Sequence, residues 1–263
     1  MNTADSYLEV PGARLRYRDE GAGTAVVLVH GWTLDLDIWQ PQAALAAAMR
    51  VVRFDRRGFG LSTGHSSLQA DVEDLRLIIA QLAVARPLLV GMSQGARVVL
   101  ELAARHPDIA RGLILDGAPP LATSDLPMAQ FRATAAIEGI DAFRSLWSAH
   151  PLTRLLTTDS GTRALLARVL ARYPGDDLLS TDGEIREVID DSLLAQIRVP
   201  VQIVNGEHDL DSRRRAGFEL RVRLATANHD IIAGAGHMPN LDAPLAYNSI
   251  VTEFARRHLP AAA

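Results

Sequence analysis

Leu88-Leu89-Val90-Gly91-Met92-Ser93-Gln94-Gly95 is the stretch on which the fold turns. Leu88 to Met92 is a short apolar run bounded by glycine, which predicts a buried strand. Gln94 to Arg105 then has helical character, with Val98, Leu102 and neighbouring alanines free to pack on a sheet. Strand passes into helix across a turn centred on Ser93. Gly91 and Gly95 permit so tight a turn, which thrusts the serine out and leaves the Gln94 N–H at a helix N-terminus. A serine hydroxyl is a weak nucleophile, so a catalytic one must stand exposed, beside a base and near donors for a developing oxyanion. Glycine-serine turns also occur for conformational reasons alone, so the surroundings decide.

Upstream, Val26 to His30 reads as a second buried strand, and His30-Gly31-Trp32 follows at once. There the glycine lets the backbone turn over the serine, so the Trp32 N–H is the expected second oxyanion donor beside Gln94. The plainer alternative makes His30 and Trp32 packing residues of a strand end. Between the two strands, Leu68, Val72, Leu75, Ile79 and Leu82 mark one helical stripe, with Ser66 or Ser67 as N-cap. Gly112 to Asp116, Val199 to Asn205 and Asn228 to Ile232 read as further strands, and Pro244 to His258 as a closing helix. Strands alternating with helices predict an α/β fold: a mostly parallel sheet with helices on both faces.

From Pro119 to Ile197 there is no good strand, only helical stretches at Met128–Ile137, Asp141–Ser148, Thr162–Tyr173 and Glu184–Gln196. A helical block between two strands of one sheet predicts an inserted lid over 119–197, with the core made of 1–118 and 198–263.

The serine needs a base. Among eight histidines, His106, His150 and His258 fall near helix ends, and His65 and His229 in polar, turn-like surroundings. His237 differs: Gly234-Ala235-Gly236-His237-Met238-Pro239 places it on a loop past the last strand, able to reach a distant serine. The base needs an orienting carboxylate, and Gly206-Glu207-His208-Asp209 offers one after the penultimate strand. Asp209 is the first choice and Asp116, ending an earlier strand, its competitor; Glu207 and Asp211 are weaker. Serine, aspartate and histidine end successive strands on one edge of the sheet, in the order this architecture uses. His30, Gly31, Trp147 and Met238 are the expected pocket residues. Leu126, Phe131, Phe143, Leu146 and Leu152 suggest an apolar lining, and Arg132, Arg144 and Arg154 could hold a carboxylate, although solvated faces account for them as well.

Composition removes rivals. All 27 basic residues are arginine and there is no cysteine, which excludes Schiff-base lysines, serine-lysine dyads, disulfides and thiolate chemistry. No histidine pair has metal-ligand spacing, so neither a metal nor a cofactor is expected. A net charge of −4 and a pI near 6.1 give no footprint for nucleic acid. No apolar run reaches the roughly 18 to 20 residues of a membrane span, and Met1 to Val10 lacks a basic leader. The expectation is a cytoplasmic chain whose partner is a small-molecule substrate.

The chain resembles the α/β-hydrolase superfamily along essentially its whole length. The resemblance is carried by His30-Gly31-Trp32, Asp55-Arg56-Arg57-Gly58-Phe59-Gly60-Leu61-Ser62, the serine turn, and Gly236-His237-Met238-Pro239-Asn240-Leu241-Asp242-Ala243-Pro244. It is most similar to small lidded bacterial members of the 3-oxoadipate enol-lactonase-like and carboxylesterase-like kinds. It departs from many relatives in having Ala96 after Gly95. The resemblance implies a triad of Ser93, Asp209 and His237, an oxyanion hole from the N–H groups of Trp32 and Gln94, and hydrolysis of a small carboxylic ester or lactone. Carbon–carbon bond hydrolysis of diketones and cofactor-free perhydrolysis on the same triad are the alternatives, and a non-catalytic receptor the rival from another class.

Overall fold

The computed structural model describes residues 4–120, 125–180 and 190–258, and in them the chain builds one eight-stranded sheet. It begins with β1 (Ser6–Val10), β2 (Ala13–Glu20) and β3 (Ala25–Val29), then a 3-10 helix over Leu36–Ala47 leading to β4 (Arg50–Phe54). Next come α1 (Leu68–Gln81), β5 (Leu88–Met92), α2 (Gln94–Arg105) and β6 (Gly112–Asp116). Between β6 and the following strand lie α3 (Met128–Glu138), α4 (Ile140–Ser148), α5 (Ser160–Arg172), α6 (Asp176–Leu179) and α7 (Asp191–Leu194). The chain then returns to the sheet through β7 (Val201–Gly206), α8 (Asp211–Arg223), β8 (Ala227–Ile232), α9 (Pro239–Asp242) and α10 (Pro244–His258).

The strand order is β1-β2-β4-β3-β5-β6-β7-β8, antiparallel over the first two pairings and parallel from β4 onward. β3, β5, β6 and β7 are buried along their whole length, as parallel strands covered on both faces must be. Each fully buried Val, Leu or Ile there contributes about 1.5–3 kcal/mol. The expected helical stripe is α1, capped by Ser67, whose hydroxyl accepts the Ala70 N–H at 3.1 Å.

Three strands depart from the sequence reading: β1, β2 and β4 have no counterpart in it. β1 is mostly exposed, and in β2 and β4 the reason is charge placed inside. Arg53 on β4 pairs with Glu20 on β2 at 2.6 Å with both side chains buried, and Arg16 on β2 is buried against Asp5, Asp37 and Asp55. Pairing offsets the cost of burying such charges, and it hides the apolar pattern by which a strand is recognised. Helix α8 was likewise not expected, because only Arg213, Ala216, Gly217 and Leu220 of its residues are buried. The helix expected over Glu184–Gln196 is seen as α7 alone; 184–189 lie outside the described residues.

Asp55 organises the loop after β4. One carboxylate oxygen accepts the Leu36 N–H at 2.7 Å and the other the Leu61 N–H at 2.8 Å. Among the described residues, no helix is long and apolar enough to cross a membrane.

Candidate active site

The turn between β5 and α2 puts Ser93 at φ 52°, ψ −116°, a conformation that a side-chain-bearing residue adopts only when its surroundings impose it. Those surroundings are backbone. Ser93 donates its N–H to the Asp116 carbonyl at 2.7 Å, and its own carbonyl accepts the Ala96 N–H at 2.9 Å. A Cβ on Gly91 would lie 2.3 Å from the Gly95 carbonyl oxygen, and one on Gly95 would lie 2.3 Å from that of Val29. Both glycines are therefore needed for α2 to approach the sheet this closely.

His237 arrives on the loop between β8 and α9. Its Nδ1 lies 2.9 Å from Asp209 Oδ1, and both residues are buried. The two loops touch at Gly206, where a Cβ would meet the Gly236 carbonyl oxygen at 2.0 Å. At Gly117, φ +53°, a Cβ would sit 2.7 Å from His237 Cε1, so the missing side chain makes room for the ring. Asp209 also accepts the Leu210 N–H at 2.8 Å and the Asn205 amide at 3.1 Å. Burial pushes its carboxyl up, but the His237 charge, the ring hydrogen bond, the Asn205 amide and the Leu210 N–H together hold it below the usual range.

Asp116, the competing acid, occupies a different environment. It is completely buried, and burial followed by the charge of Asp209 pushes it well above the ordinary carboxylate range. Both effects disfavour its ionised form, whereas a carboxylate that orients a histidine must be ionised. Only Asp209 of the two is paired with His237.

Opposite the histidine, the backbone after β3 passes close to the serine: a Cβ on Gly31 would lie 3.2 Å from Ser93 Cβ. Trp32 follows, and Gln94 opens α2, where its N–H has no intrahelical partner. The inter-strand helices hold this turn by two side-chain bonds. Trp147 donates its indole N–H to Thr33 Oγ1 at 2.7 Å, and Trp32 donates its own to Asp177 at 2.6 Å. The Trp32 ring also contacts Phe131, Phe143, Trp147 and Tyr173.

Ser93 and His237 line one cavity of about 30 Å³, together with Gly31, Trp32, Trp147 and Met238. Since a water needs about 10–15 Å³ measured this way, the space holds roughly two waters. His30, expected in the pocket, does not line it; this corrects the sequence reading. The residue is wholly buried behind the turn, its Nε2 accepting the Arg56 N–H at 2.9 Å and its Nδ1 donating to the Gly31 carbonyl at 2.8 Å. Burial, then the Arg56 guanidinium, keep its pKa well below the ordinary value, so the ring is neutral and structural. Of the other apolar candidates, Leu126 and Leu152 reach the cavity, while Phe131 and Phe143 lie behind it in the aromatic cluster and Leu146 is exposed. None of Arg132, Arg144 and Arg154 lines the cavity. The cation that does is Arg213 on α8, paired with Asp125 through two bonds of 2.8 Å. Nothing local in the run of three arginines singles it out. Among the described residues, no group of three His, Asp or Glu side chains could hold a metal ion.

Residues 26–250 match the model of the alpha/beta hydrolase family. A Bacillus subtilis protein provisionally named 2-succinyl-6-hydroxy-2,4-cyclohexadiene-1-carboxylate synthase is 27% identical over 92% of this chain and 95% of its own. The pimeloyl-[acyl-carrier protein] methyl ester esterase of Edwardsiella ictaluri is 29% identical over 89% of this chain and 95% of its own. The crystal structure of the enol-lactonase from Burkholderia xenovorans superposes with a TM-score of 0.80 at 26% identity, covering 95% of this chain and all (100%) of that one.

Proposed function

Because the chain belongs to the alpha/beta hydrolase family, we propose that it hydrolyses a small carboxylic ester or lactone, with Ser93 as nucleophile. The observation that carries this reading is the buried His237–Asp209 pair, 2.9 Å apart, opening on the cavity that the strained Ser93 also lines. With Nδ1 held by Asp209, the ring is left with Nε2 to take the serine proton. Ser93 Oγ then adds to the ester carbonyl, and the N–H groups of Trp32 and Gln94 receive the negative oxygen. His237 returns the proton to the leaving alkoxide as the carbon–oxygen bond breaks, which leaves an acyl-serine and an alcohol. Water, activated by the same ring, hydrolyses the acyl-serine and restores the enzyme. No step calls for a cofactor, and the only partner required is the small-molecule substrate.

The lid role falls to the segment 119–197, of whose described residues Leu126, Trp147 and Leu152 line the cavity. The restricted space favours short acyl groups. The names of two relatives, an ester esterase and an enol-lactonase, support both bond types as candidates.

The test is a fluorophosphonate probe with an activated short-chain ester. Ser93 is expected to be the labelled residue, and Ser93→Ala to lower turnover by about a millionfold while leaving the fold intact. Turnover retained in Ser93→Ala, or labelling of another residue, overturns the proposal.

A further inference from the structure

The triad acid is itself held by a partner, and that partner by another, in a line that runs out to the far side of β8. Asp209 Oδ1 is occupied by His237 and the Leu210 N–H. Among the described residues, its Oδ2 has one donor, the Asn205 amide at 3.1 Å. Asn205 is completely buried at the end of β7. Its amide nitrogen also faces the Arg213 carbonyl at 3.4 Å, and its Oδ1 receives His229 Nε2 at 2.9 Å. The amide orientation is therefore determined from both ends: acceptors lie on its nitrogen side and a ring N–H on its oxygen side.

The packing around this line is as specific as the bonds. A Cβ on Gly217 of α8 would lie 2.2 Å from Asn205 Oδ1 and 3.1 Å from both Nε2 and Cε1 of His229. Helix α8 thus runs directly over the Asn205–His229 contact, and only a residue without a side chain leaves it intact. His229 is half-buried on β8 and borders an open groove of about 710 Å³, on the other side of Asn205 from the serine.

We propose that His229 and Asn205 are positioning residues for the hydrolytic reaction: the His229 N–H fixes the Asn205 amide, which fixes the Asp209 carboxylate against His237. The inference rests on the triad reading above. Without the His229 donor, the buried Asn205 oxygen loses its partner and the amide is held from its nitrogen side alone. The amide can then swing off its line, and the hydrogen bond to Asp209 Oδ2 is weakened. The carboxylate rotates, and the ring it aligns no longer meets the serine squarely. Misplacement of that kind acts on the chemical step rather than on substrate binding.

The experiment compares His229→Ala, His229→Asn and His229→Gln, with turnover expressed per Ser93 titrated by the fluorophosphonate, so that loss of folded protein does not count. A glutamine amide nitrogen occupies the place of a histidine Nε2, whereas that of asparagine falls short of it. The alanine and asparagine variants should lose about tenfold or more in kcat with KM little changed, and the glutamine variant should recover most of it. Gly217→Ala, remote from the cavity, should reproduce the kcat loss by pressing on Asn205. The proposal is overturned if His229→Ala turns over like wild type per titrated serine, if kcat and KM change together, or if glutamine rescues no better than asparagine. Failure of the triad reading looks different, because Ser93→Ala would then retain turnover.

Discussion

The indole N–H of Trp32 donates to the Asp177 carboxylate at 2.6 Å, joining the turn beside Ser93 to α6 across 145 residues of sequence. The other Asp177 oxygen accepts the Tyr173 hydroxyl, also at 2.6 Å, so the carboxylate is filled from both sides. Because the Trp32 backbone N–H is the proposed oxyanion donor, its side chain makes the seating of α6 a condition of oxyanion stabilisation. Asp177→Asn turns one of the two acceptors into a donor facing a donor. We expect a loss of about 10- to 100-fold in kcat, less than removal of a whole oxyanion donor, and a modest change in KM. Steady-state kinetics check it, and an unchanged kcat would separate α6 from the chemistry.

His30 gives a second prediction, in stability. Its two ring nitrogens serve the Arg56 N–H and the Gly31 carbonyl, both buried. His30→Ala strands both groups at about 1–3 kcal/mol each, so urea unfolding should show a loss of about 2–6 kcal/mol. Because burial and Arg56 keep the folded ring's pKa well below the ordinary value, the unfolded chain takes up the proton first, so this loss should be largest near pH 8 and shrink as pH falls towards about 6. A loss that grows on acidification within that range would mean that the ring carries a charge in the folded chain.

The same residue shows what was legible beforehand. His30-Gly31-Trp32, the serine turn and the His237 loop were readable because each is a local device, a strand end joined to glycine and a chemically distinctive side chain. The alternation of strands and helices around them gave the parallel part of the sheet for the same reason. What His30 does was not legible, because its partner Arg56 lies on another loop, and its neighbour Trp32 is held by a residue of a distant helix. β2 and β4 escaped notice because Arg16, Glu20 and Arg53 are buried in pairs, and a pair is visible only once the strands lie side by side. Arg213 and Asn205 belong to the same class of long-range partner.

Asp116 carries a pH prediction. Its raised pKa means that the folded chain holds the proton more tightly than the unfolded chain does. That contribution is fully present below the ordinary carboxylate range and is lost as pH rises through the raised value. Asp116→Asn keeps the shape and removes the ionisation. The Tm of the variant should therefore gain on wild type as pH is raised from about 5 to about 8, in thermal melts of the two proteins run together. A constant difference across that range would show that Asp116 ionises in the folded chain as easily as in the unfolded one.

Gly31 and Gly95 both border the serine turn, yet alanine should act differently at each. At Gly95 the added Cβ meets the carbonyl oxygens of Val29 at 2.3 Å and His30 at 2.7 Å, which are buried backbone at the end of β3 and cannot yield. Gly95→Ala should therefore force α2 off the sheet and cost more than about 3 kcal/mol, leaving little folded protein. At Gly31 the nearest atoms are Ser93 Cβ at 3.2 Å, the Met92 carbonyl oxygen at 3.3 Å and Met92 Sδ at 3.4 Å. A few tenths of an ångström of adjustment suffice there, and methionine is the side chain most able to give. Gly31→Ala should fold with a loss of about 1–2 kcal/mol. The adjustment nevertheless falls between the serine and the Trp32 N–H, the distance on which oxyanion stabilisation depends. Turnover per titrated serine should then drop about 10- to 100-fold, far more than the small stability loss would produce. Equal loss of stability and of turnover at both positions would place Gly31 in the scaffold alone, and the second oxyanion donor would have to be sought elsewhere.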